Sequence, residues 1–551
     1  MSTITSPGNR ALRAFLKRSV RPAAASLLVG LLSANGIIAQ EFMAGGDNTL
    51  VQTEAGQLVG IEHDGVFNYR GVRYATAARF MPPEKVAPWE GVQPAVTYGQ
   101  NCFIPDLTAV AGDDLFNPHR YMPMSEDCLF LNVWTPGLDD GAKRPVMVWV
   151  HGGGYTNGSG VEIESYDGEN LSQSGDVVVI TLNHRLNVLG FLDLSEYGDE
   201  YENSGNNSMA DLVTALEWVK ANAAAFGGDP DNVTIFGQSG GGSKVRTLMG
   251  LPAAQGLFAK AIVQSGATSS PVTDQESSRR VAALTLENLG LTADQIGELK
   301  ELPYRELLAA ATDALAAAKE EGLANPRWAP VVDGAYLPAD PVGEKWTDLS
   351  ADVPLLIGTV LNESETIIRN NPAALFADNK NGWTDEHAME KLTERFADKA
   401  QGVADAFLAA YPEKKLADAF FVDVNGRAGT LRNTLLKAEQ DAPVFNYVFT
   451  WESPVMGGIG MSWHCSEIHH VFNNAELVSG ATGGGPDAIA MSEKVSQAWV
   501  NFARNGNPSH EGLLDWPEFT AESGATMILD NESVVRNHHD AELLDLATQA
   551  L

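Results

Sequence analysis

Short apolar runs alternate with stretches of helical periodicity along most of this chain. Runs of four to ten residues that are mostly apolar are typical of strands buried on both faces of a parallel sheet. They lie at 125–134, 145–150, 176–182, 233–236, 260–265, 354–358, 444–450 and 526–529. Apolar residues at helical spacing occur at 209–226, 276–322, 384–411 and 491–505. The alternation predicts an α/β fold, with a large, mostly parallel central sheet and helices on both faces.

The domain organisation follows from the same pattern. Alternating residues with frequent glycines at 50–74 predict an antiparallel meander ahead of the parallel strands. No internal repeat or low-complexity linker interrupts the chain after it. We therefore expect residues 40–551 to form a single catalytic domain, with helical insertions at about 270–325 and 370–415 over its active site.

The first 39 residues differ from the rest. Five arginines and lysines precede an apolar run at 23–32, and small residues follow up to Ala39. This order is typical of a secretory signal peptide, with Ala39 or Ala34 as the cleavage point. The run is short for a membrane anchor, although an uncleaved anchor is the alternative. The segment predicts a secreted or periplasmic protein without stable membrane association.

Charge and composition narrow the possible partners. The chain has 551 residues, of which 44% are hydrophobic, and its formal net charge is −34. The apolar content is ample for a large core. A protein this acidic should repel nucleic acid and anionic membrane surfaces, which favours a small molecule as the partner. Charge leaves the oligomeric state open.

The chain contains three cysteines, Cys102, Cys128 and Cys465. Export would permit a disulfide, and Cys102 and Cys128 are the only pair close in sequence. Their bond would close a loop of about 26 residues and stabilise the fold by about 3 kcal/mol. Three free thiols are the alternative.

A candidate nucleophile follows the strand at 233–236. That strand ends in Gly237-Gln-Ser-Gly-Gly241, where a helix can begin. A strand that reverses into a helix within two residues strains its central residue and needs small neighbours. The turn would hold the hydroxyl of Ser239 clear of the sheet, beside the positive end of the helix dipole. A glycine-rich loop with an incidental serine is the alternative.

Glycines also follow the strand at 145–150, in His151-Gly-Gly-Gly-Tyr155. Such a loop lets backbone N–H groups approach a ligand closely, as the oxyanion of an acyl transfer requires. Gly153, Gly154 and Gly240 are the candidate donors. A phosphate-binding loop is the alternative, but neither the expected Lys-Ser/Thr nor a helix follows.

The serine needs a base and an acid. In hydrolases with this kind of turn the chain order is serine, acid, histidine. His464 lies in a glycine-rich approach after the strand at 444–450, whereas His469 and His470 read as part of a packed element. Glu363 follows the strand at 354–358 and is the candidate acid. Glu365 and Asp333 are the alternatives.

Three motifs together resemble the type-B carboxylesterase family, which includes cholinesterases and fungal lipases. They are Glu126-Asp-Cys-Leu-Phe-Leu-Asn-Val-Trp134, His151-Gly-Gly-Gly-Tyr155 and Gly237-Gln-Ser-Gly-Gly241. The likeness runs from about residue 50 to the C-terminus. It implies the α/β-hydrolase fold and a catalytic triad of Ser239, Glu363 and His464.

The resemblance also implies roles for residues around the triad. It implies a disulfide between Cys102 and Cys128 and a buried acid, Glu467, paired with Ser265. It implies structural ion pairs of Arg79 with Glu126 and of Arg185 with Asp211. One departure is that the usual Glu-Ser-Ala is Gln-Ser-Gly here, so the donor after the serine is a glycine and less rigid.

The sequence therefore predicts a secreted serine esterase that works through an acyl-enzyme and needs neither cofactor nor metal. A lipase or an amidase would use the same triad, and a non-catalytic binding protein could share the fold. Lys244 and Arg246 follow the nucleophile on its helix. A surface ion pair is the expected role for them, and a pocket for acidic substrates is the alternative.

Overall fold

A twelve-stranded mixed sheet runs through the described part of the protein, and helices cover both of its faces. The computed structural model describes residues 43–105, 116–363 and 376–550. The predicted signal peptide, residues 1–39, lies outside them. All described residues belong to one compact unit.

The strands of this sheet follow the predicted apolar runs. In chain order they are β1 Met43–Ala44, β2 Ile61–His63, β3 Val66–Arg73, β4 Phe130–Thr135, β5 Arg144–Val150, β6 Val178–Leu182, β7 Gly228–Gln238, β8 Lys260–Gln264, β9 Leu355–Val360, β10 Val444–Phe449, β11 Ala525–Leu529 and β12 Val534–Asn537. Across the sheet the order is β1-β2-β3-β4-β6-β5-β7-β8-β9-β10-β11-β12. The seven strands from β6 to β11 in this order are parallel. The strands at both ends pair antiparallel, so the expected parallel core is present.

Shorter strands and the helices surround this sheet. Leu50–Gln52, Gln57–Val59 and Val92–Pro94 form a small sheet, Ala75–Thr76 pairs with Glu84–Lys85, and Thr273–Asp274 pairs with Val331–Val332. The α-helices are α1 Glu169–Gly175, α2 Asn187–Phe191, α3 Asn207–Asn222, α4 Gly240–Met249, α5 Gln275–Leu289, α6 Tyr304–Glu320, α7 Asp385–Phe396, α8 Ala400–Ala410, α9 Leu416–Ala419, α10 Asn425–Lys437, α11 Ile468–Val471, α12 Ser479–Thr482, α13 Pro486–Asn505 and α14 Ala541–Ala550.

Two apolar layers hold the helices against the sheet. Successive residues of β5 alternate between them: Val146, Val148 and Val150 belong to one cluster, and Met147 and Trp149 to the other. All are at most 1% exposed. Because neighbouring side chains of a strand point to opposite faces, an unbroken apolar run is what a doubly covered strand requires.

Some element boundaries differ from the sequence prediction. The strand expected at 125–134 begins only at Phe130. Before it, Glu126 pairs with Arg79 and Asp127 pairs with Arg73. The helical stretch at 276–322 contains two main helices, since Gly290 ends the first in a left-handed conformation (φ 68°). A glycine takes this conformation without the strain that a side chain adds.

The two helical insertions pack outside the parallel strands. Helices α5 and α6 form a cluster of their own with Leu189 and Phe191. Helices α7 and α8 pack against α14 and against residues of β10 and β11. Residues 370–375 of the second insertion lie outside the described part of the chain.

Candidate active site

Ser239 sits at a sharp turn between β7 and α4. Its backbone has φ 58° and ψ −124°, a conformation that costs an L-residue energy and is found at functional turns. A Cβ atom at Gly241 would lie 1.9 Å from the carbonyl oxygen of Val150. The turn therefore requires glycine there, and the strain predicted for Ser239 is present.

Ser239, His464 and Glu363 form a hydrogen-bonded chain. The Oγ of Ser239 lies 2.7 Å from Nε2 of His464. Nδ1 of the same ring contacts the Oε2 atom of Glu363. This geometry suits a ring that carries its proton on Nδ1 and accepts the serine proton at Nε2. The structure thus brings the three predicted residues together.

The acid and the histidine lie on two loops that pair like short strands. The N–H of Asn362 donates to the Ser462 carbonyl at 3.2 Å, and the N–H of Ser462 donates to Oδ1 of Asn362 at 3.2 Å. The backbone N–H of Val360 holds Oε1 of Glu363 at 3.0 Å. Glu363 is 2% exposed, so its direction is fixed by neighbours rather than by water.

Two residues of this support were not identified from the sequence. Asn362 joins the two loops through its side chain, and Gln238 donates from its side-chain amide to the carbonyl of His464. Both amides lie next to a predicted catalytic residue in the sequence. Adjacency was the only available signal, because the residues that they contact are about 100 and 226 positions away.

The glycine loop lies directly on the nucleophile turn. Gly153 and Gly154 have φ 79° and 62°, and both line one cavity with Ser239. A Cβ atom at Gly240 would lie 2.2 Å from the carbonyl oxygen of Gly154. Within the described residues, the N–H groups of Gly153 and Gly154 make no backbone hydrogen bond. The structure therefore places all three predicted donors beside Ser239.

The cavity above Ser239 has a volume of about 570 Å³. Its walls come from residues of 101–105, 117–124 and 152–166, and from Gln238, Ser239, His464 and Cys465. In the part of the chain that the structure describes, neither helical insertion supplies a lining residue. The irregular stretch after Cys102 does so instead, and the disulfide between Cys102 and Cys128 closes its base.

The expected hydrogen bond between Glu467 and Ser265 is absent. The Oε1 atom of Glu467 accepts from the side-chain amide of Gln264 at 3.4 Å. The Oε2 atom of Glu467 and the Oγ of Ser265 have no partner among the described residues. Ser265 adopts φ 50° at the end of β8, where its N–H binds the Gly358 carbonyl. Glu467 is fully buried, and burial together with the nearby charge of Glu363 raises its pKa well above the usual range.

The other structural pairs implied by the resemblance are present. Arg79 pairs with Glu126 and also donates to the carbonyls of Leu299 and Leu302, at 2.8 and 2.7 Å. Arg185 binds Asp211 with an N–O distance of 2.7 Å, and Asp211 is fully buried. Cys102 and Cys128 form a disulfide, and Cys465 is a free thiol.

The expectation for Lys244 and Arg246 is wrong. Both side chains are buried, at 0% and 1% exposure, and neither lines the cavity. Lys244 donates to the carbonyl of His151 at 3.1 Å, and Arg246 donates to the Ser269 carbonyl at 2.7 Å. They therefore form neither a surface ion pair nor an acidic-substrate pocket within the described residues.

The alternative acid and the neighbouring histidines lie in other surroundings. Asp333 accepts from Asn206 at 3.0 Å and from backbone N–H groups of its own turn. His469 and His470 are buried, and their Nδ1 atoms contact serine hydroxyls at 2.6 and 3.0 Å. Glu365 lies outside the described residues.

Among the described residues, one cluster of side chains could hold a cation. It consists of His63, Asp64 and Glu169, and none of the three lines the cavity.

Across residues 43–105, 116–363 and 376–550, none of the helices combines the length and the apolar character needed to cross a membrane.

This chain is similar to known proteins over most of its length. The family model described as "Carboxylesterase family" matches residues 47–546. A para-nitrobenzyl esterase of Bacillus subtilis is 34% identical over 511 residues, which is 90% of this chain and 97% of that protein. A phenmedipham hydrolase of Pseudarthrobacter oxydans is 33% identical over 498 residues, 88% and 95% of the two chains. A solved esterase from Clostridium hathewayi, described as able to hydrolyse aliphatic aromatic polyesters, has 39% identity and a TM-score of 0.86, covering 93% of this chain and 100% of its own.

Proposed function

Since the chain belongs to the carboxylesterase family and is a carboxylic ester hydrolase, we propose that it cleaves esters through an acyl-enzyme formed on Ser239. The 2.7 Å contact between the Ser239 Oγ and the His464 Nε2 carries this proposal. A hydroxyl becomes a useful nucleophile only when a base takes its proton, and this ring nitrogen is placed to do so.

The first half of the reaction acylates the serine. The Oγ of Ser239 bonds to the ester carbonyl carbon while its proton moves to Nε2 of His464. Collapse of the tetrahedral intermediate breaks the bond to the alcohol oxygen, which leaves with the proton from His464. Glu363 holds the ring through Nδ1 and stabilises its positive charge.

The second half returns the enzyme to its starting state. Water gives a proton to His464 and its oxygen bonds to the acyl carbon. The bond to Ser239 then breaks, Oγ regains the proton, and the carboxylic acid leaves. Gly153, Gly154 and Gly240 would bind the oxyanion of both intermediates, which is commonly the largest electrostatic contribution to acyl transfer. The close packing of Gly154 on Gly240 supports this role.

We propose small-molecule esters with an aromatic acyl or alcohol part as the substrates. The cavity of about 570 Å³ is lined by Tyr121, Tyr166 and Met124 together with polar groups, which suits one aromatic ring and a short chain. The name of one relative refers to para-nitrobenzyl esters, and the solved esterase is described as able to hydrolyse aliphatic aromatic polyesters, so both descriptions concern esters with an aromatic part. A lipase with long acyl chains, or an amidase, would use the same residues.

We further propose that residues 1–39 direct export and that residues 40–551 act as one catalytic domain. A secreted or periplasmic location agrees with the disulfide between Cys102 and Cys128, because such bonds persist in oxidising compartments. N-terminal sequencing of the protein recovered from the periplasm or medium should find a start shortly after Ala34 or Ala39. A chain retained in the cytoplasm with Met1 intact would contradict export.

The test of the mechanism is Ser239→Ala. Removing the nucleophile should lower kcat on p-nitrophenyl butyrate by about a million-fold and abolish labelling by a fluorophosphonate probe. Ser466→Ala serves as the control, because it removes another buried hydroxyl that is close to His464 in the sequence. Retained activity in Ser239→Ala, with an intact fold, would overturn the assignment.

A further inference from the structure

Lys244 is a buried cation beneath the glycine loop. It lies on α4, five residues after Ser239, and its side chain is 0% exposed. Its Nζ donates to the carbonyl oxygen of His151 at 3.1 Å. His151 directly precedes Gly152, so this bond ties the nucleophile helix to the start of the glycine loop.

Four ionisable or aromatic groups face this ammonium. Its Nζ lies 5.8 Å from the ring centre of Tyr155, which ends the glycine loop. The rings of His151 and His184 stack at 4.6 Å, and burial, followed by the charge of Lys244, lowers the pKa of both well below the usual range. Glu162, on the cavity wall, is the carboxylate whose charge favours the ammonium. The lysine thus contacts the glycine loop and interacts electrostatically with the loop after β6 and with the cavity wall.

The placement is costly for stability. A cation in the first turns of a helix opposes the positive end of the helix dipole. Among the described residues Lys244 has no ion pair, and burial without one penalises an ammonium further. Burial lowers the pKa of Lys244 to about 7. An apolar side chain would avoid both costs, and perturbed buried groups of this kind concentrate at functional sites.

We propose that Lys244 is a positioning residue of the oxyanion hole. Its ammonium fixes the His151 carbonyl against α4, and so sets the amides of Gly153 and Gly154 relative to Ser239. The inference rests on the proposed acyl-enzyme function.

The glycine loop has little room to move against α4. Gly154 already lies where a Cβ atom of Gly240 would be, so loop and helix are in backbone contact. An oxyanion donor acts only within about 3 Å of the oxygen that it binds. Because Gly153 follows His151 by two residues, a shift of His151 also moves Gly153. Loss of the hydrogen bond from Lys244 to His151 therefore weakens transition-state binding more than substrate binding.

The charge of Lys244 adds a pH dependence. With a pKa of about 7, the side chain is an ammonium in mildly acidic solution and becomes a neutral amine as the pH rises. The amine keeps N–H donors but loses the positive charge beneath the oxyanion hole. We expect kcat of the wild type to decline modestly as the pH rises above the pKa of Lys244.

Lys437 provides a matched control. It is also 0% exposed, and its Nζ donates to the Ser350 carbonyl at 2.7 Å, away from the cavity. Burial lowers its pKa to about 8. Lys437→Met therefore repeats the chemical change of Lys244→Met, with its stability cost, at a site without a glycine loop.

The experiment compares Lys244→Met with Lys437→Met on p-nitrophenyl butyrate. We expect Lys244→Met to lower kcat about tenfold or more, to change KM less than about threefold, and to remove the alkaline decline. Its affinity for a trifluoromethyl ketone, which forms a tetrahedral adduct on the serine, should fall by the same factor as kcat/KM. Lys437→Met should keep wild-type kcat. Equal kcat values in the two variants, or an unchanged ketone affinity in Lys244→Met, would overturn the proposal.

A second variant covers a failure of Lys244→Met to fold. Lys244→Gln retains an N–H donor without the charge, so it should lose the alkaline decline while keeping more of kcat. An unaltered pH profile in Lys244→Gln would overturn the role of the charge. A wild type that does not turn over esters, or an active Ser239→Ala, would instead overturn the proposed function.

Discussion

At the residue scale, burial fixes the orientation of the acid in the hydrogen-bonded chain of Ser239, His464 and Glu363. Glu363 is 2% exposed and held by the Val360 N–H, while the His464 side chain is 17% exposed. The acid therefore keeps one orientation, and the ring remains open to the substrate cavity. This division suits a ring that must exchange protons with alcohol and water.

His464 is distinguished from its neighbours by contact rather than by residue type. His464→Gln should lower kcat on p-nitrophenyl butyrate by at least about 1,000-fold, because the base of the triad is lost. His469→Gln is the control, since His469 is buried and contacts Ser165 at 2.6 Å. It should lower the thermal midpoint but leave kcat within a few-fold. Comparable losses of kcat in the two variants would contradict the roles given to these histidines.

Glu467 gives a prediction for stability against pH. Its pKa is raised in the folded protein, so above about pH 4.5 the folded state binds a proton that the unfolded state has released. Each further pH unit then costs the wild type up to about 1.4 kcal/mol of folding free energy, until the folded pKa is reached. Glu467→Gln lacks this penalty. The free energy of unfolding of Glu467→Gln, measured with urea, should therefore rise relative to that of the wild type as the pH increases above 4.5.

The exposed Glu301→Gln is the matched control for that experiment. A constant stability difference between Glu467→Gln and the wild type across pH 5 to 7 would show that Glu467 is ionised in the folded state.

At the element scale, three strand ends and one helix start build the site. Strand β5 leads into the glycine loop, β7 into the nucleophile turn and β9 into the acid loop. Because these strands are parallel, their carboxyl ends meet at one edge of the sheet, where ligands of open α/β sheets bind. The histidine loop joins them by pairing with Asn362.

Gly240 tests the contact between the helix and the glycine loop. The related family commonly has alanine after the nucleophile, but here a Cβ atom would lie 2.2 Å from the Gly154 carbonyl. Gly240→Ala should displace the loop and lower kcat about tenfold to a hundredfold, with a smaller change in KM. Gly297→Ala is the control, because its Cβ would meet nothing within 4 Å. Full activity of Gly240→Ala would mean that the loop adapts without loss of the donors.

At the scale of the whole molecule, one part of the cavity wall is a segment whose ends are joined. Residues 117–124 line the cavity, and the disulfide between Cys102 and Cys128 closes the segment that carries them. Arg79 joins Glu126, in the same segment, to the insertion through the carbonyls of Leu299 and Leu302. The shape of the cavity therefore depends on contacts between distant parts of the chain.

The disulfide should matter for stability. Replacing both Cys102 and Cys128 by serine should lower the free energy of unfolding by about 3 kcal/mol, because the unfolded chain regains the entropy of a loop of 26 residues. The reductant dithiothreitol should lower the melting temperature of the wild type and not that of the double variant. Cys465→Ser, which removes the free thiol, should remain sensitive to reductant. A double variant as stable as the wild type would contradict this role.

The sequence by itself determined the parallel strands, the nucleophile turn and the glycine loop. Each of these depends on apolar periodicity or on glycine conformations within a few residues, so the information is local. The family pattern added the choice of Glu363 and Glu467. The same local patterns overestimated the strand at 125–134 and merged α5 with α6.

Only the tertiary structure decided which side chains meet. His464 contacts Ser239 across 225 residues, and Asn362 pairs with Ser462 on a separate loop. Lys244 is a charged residue on the helix after the nucleophile, which predicted a surface ion pair, yet neighbouring elements bury it beneath His151. Likewise, among the described residues, an irregular stretch supplies part of the cavity wall and the insertions supply none of it. Such contacts depend on how elements pack together, and no short stretch of sequence contains both partners.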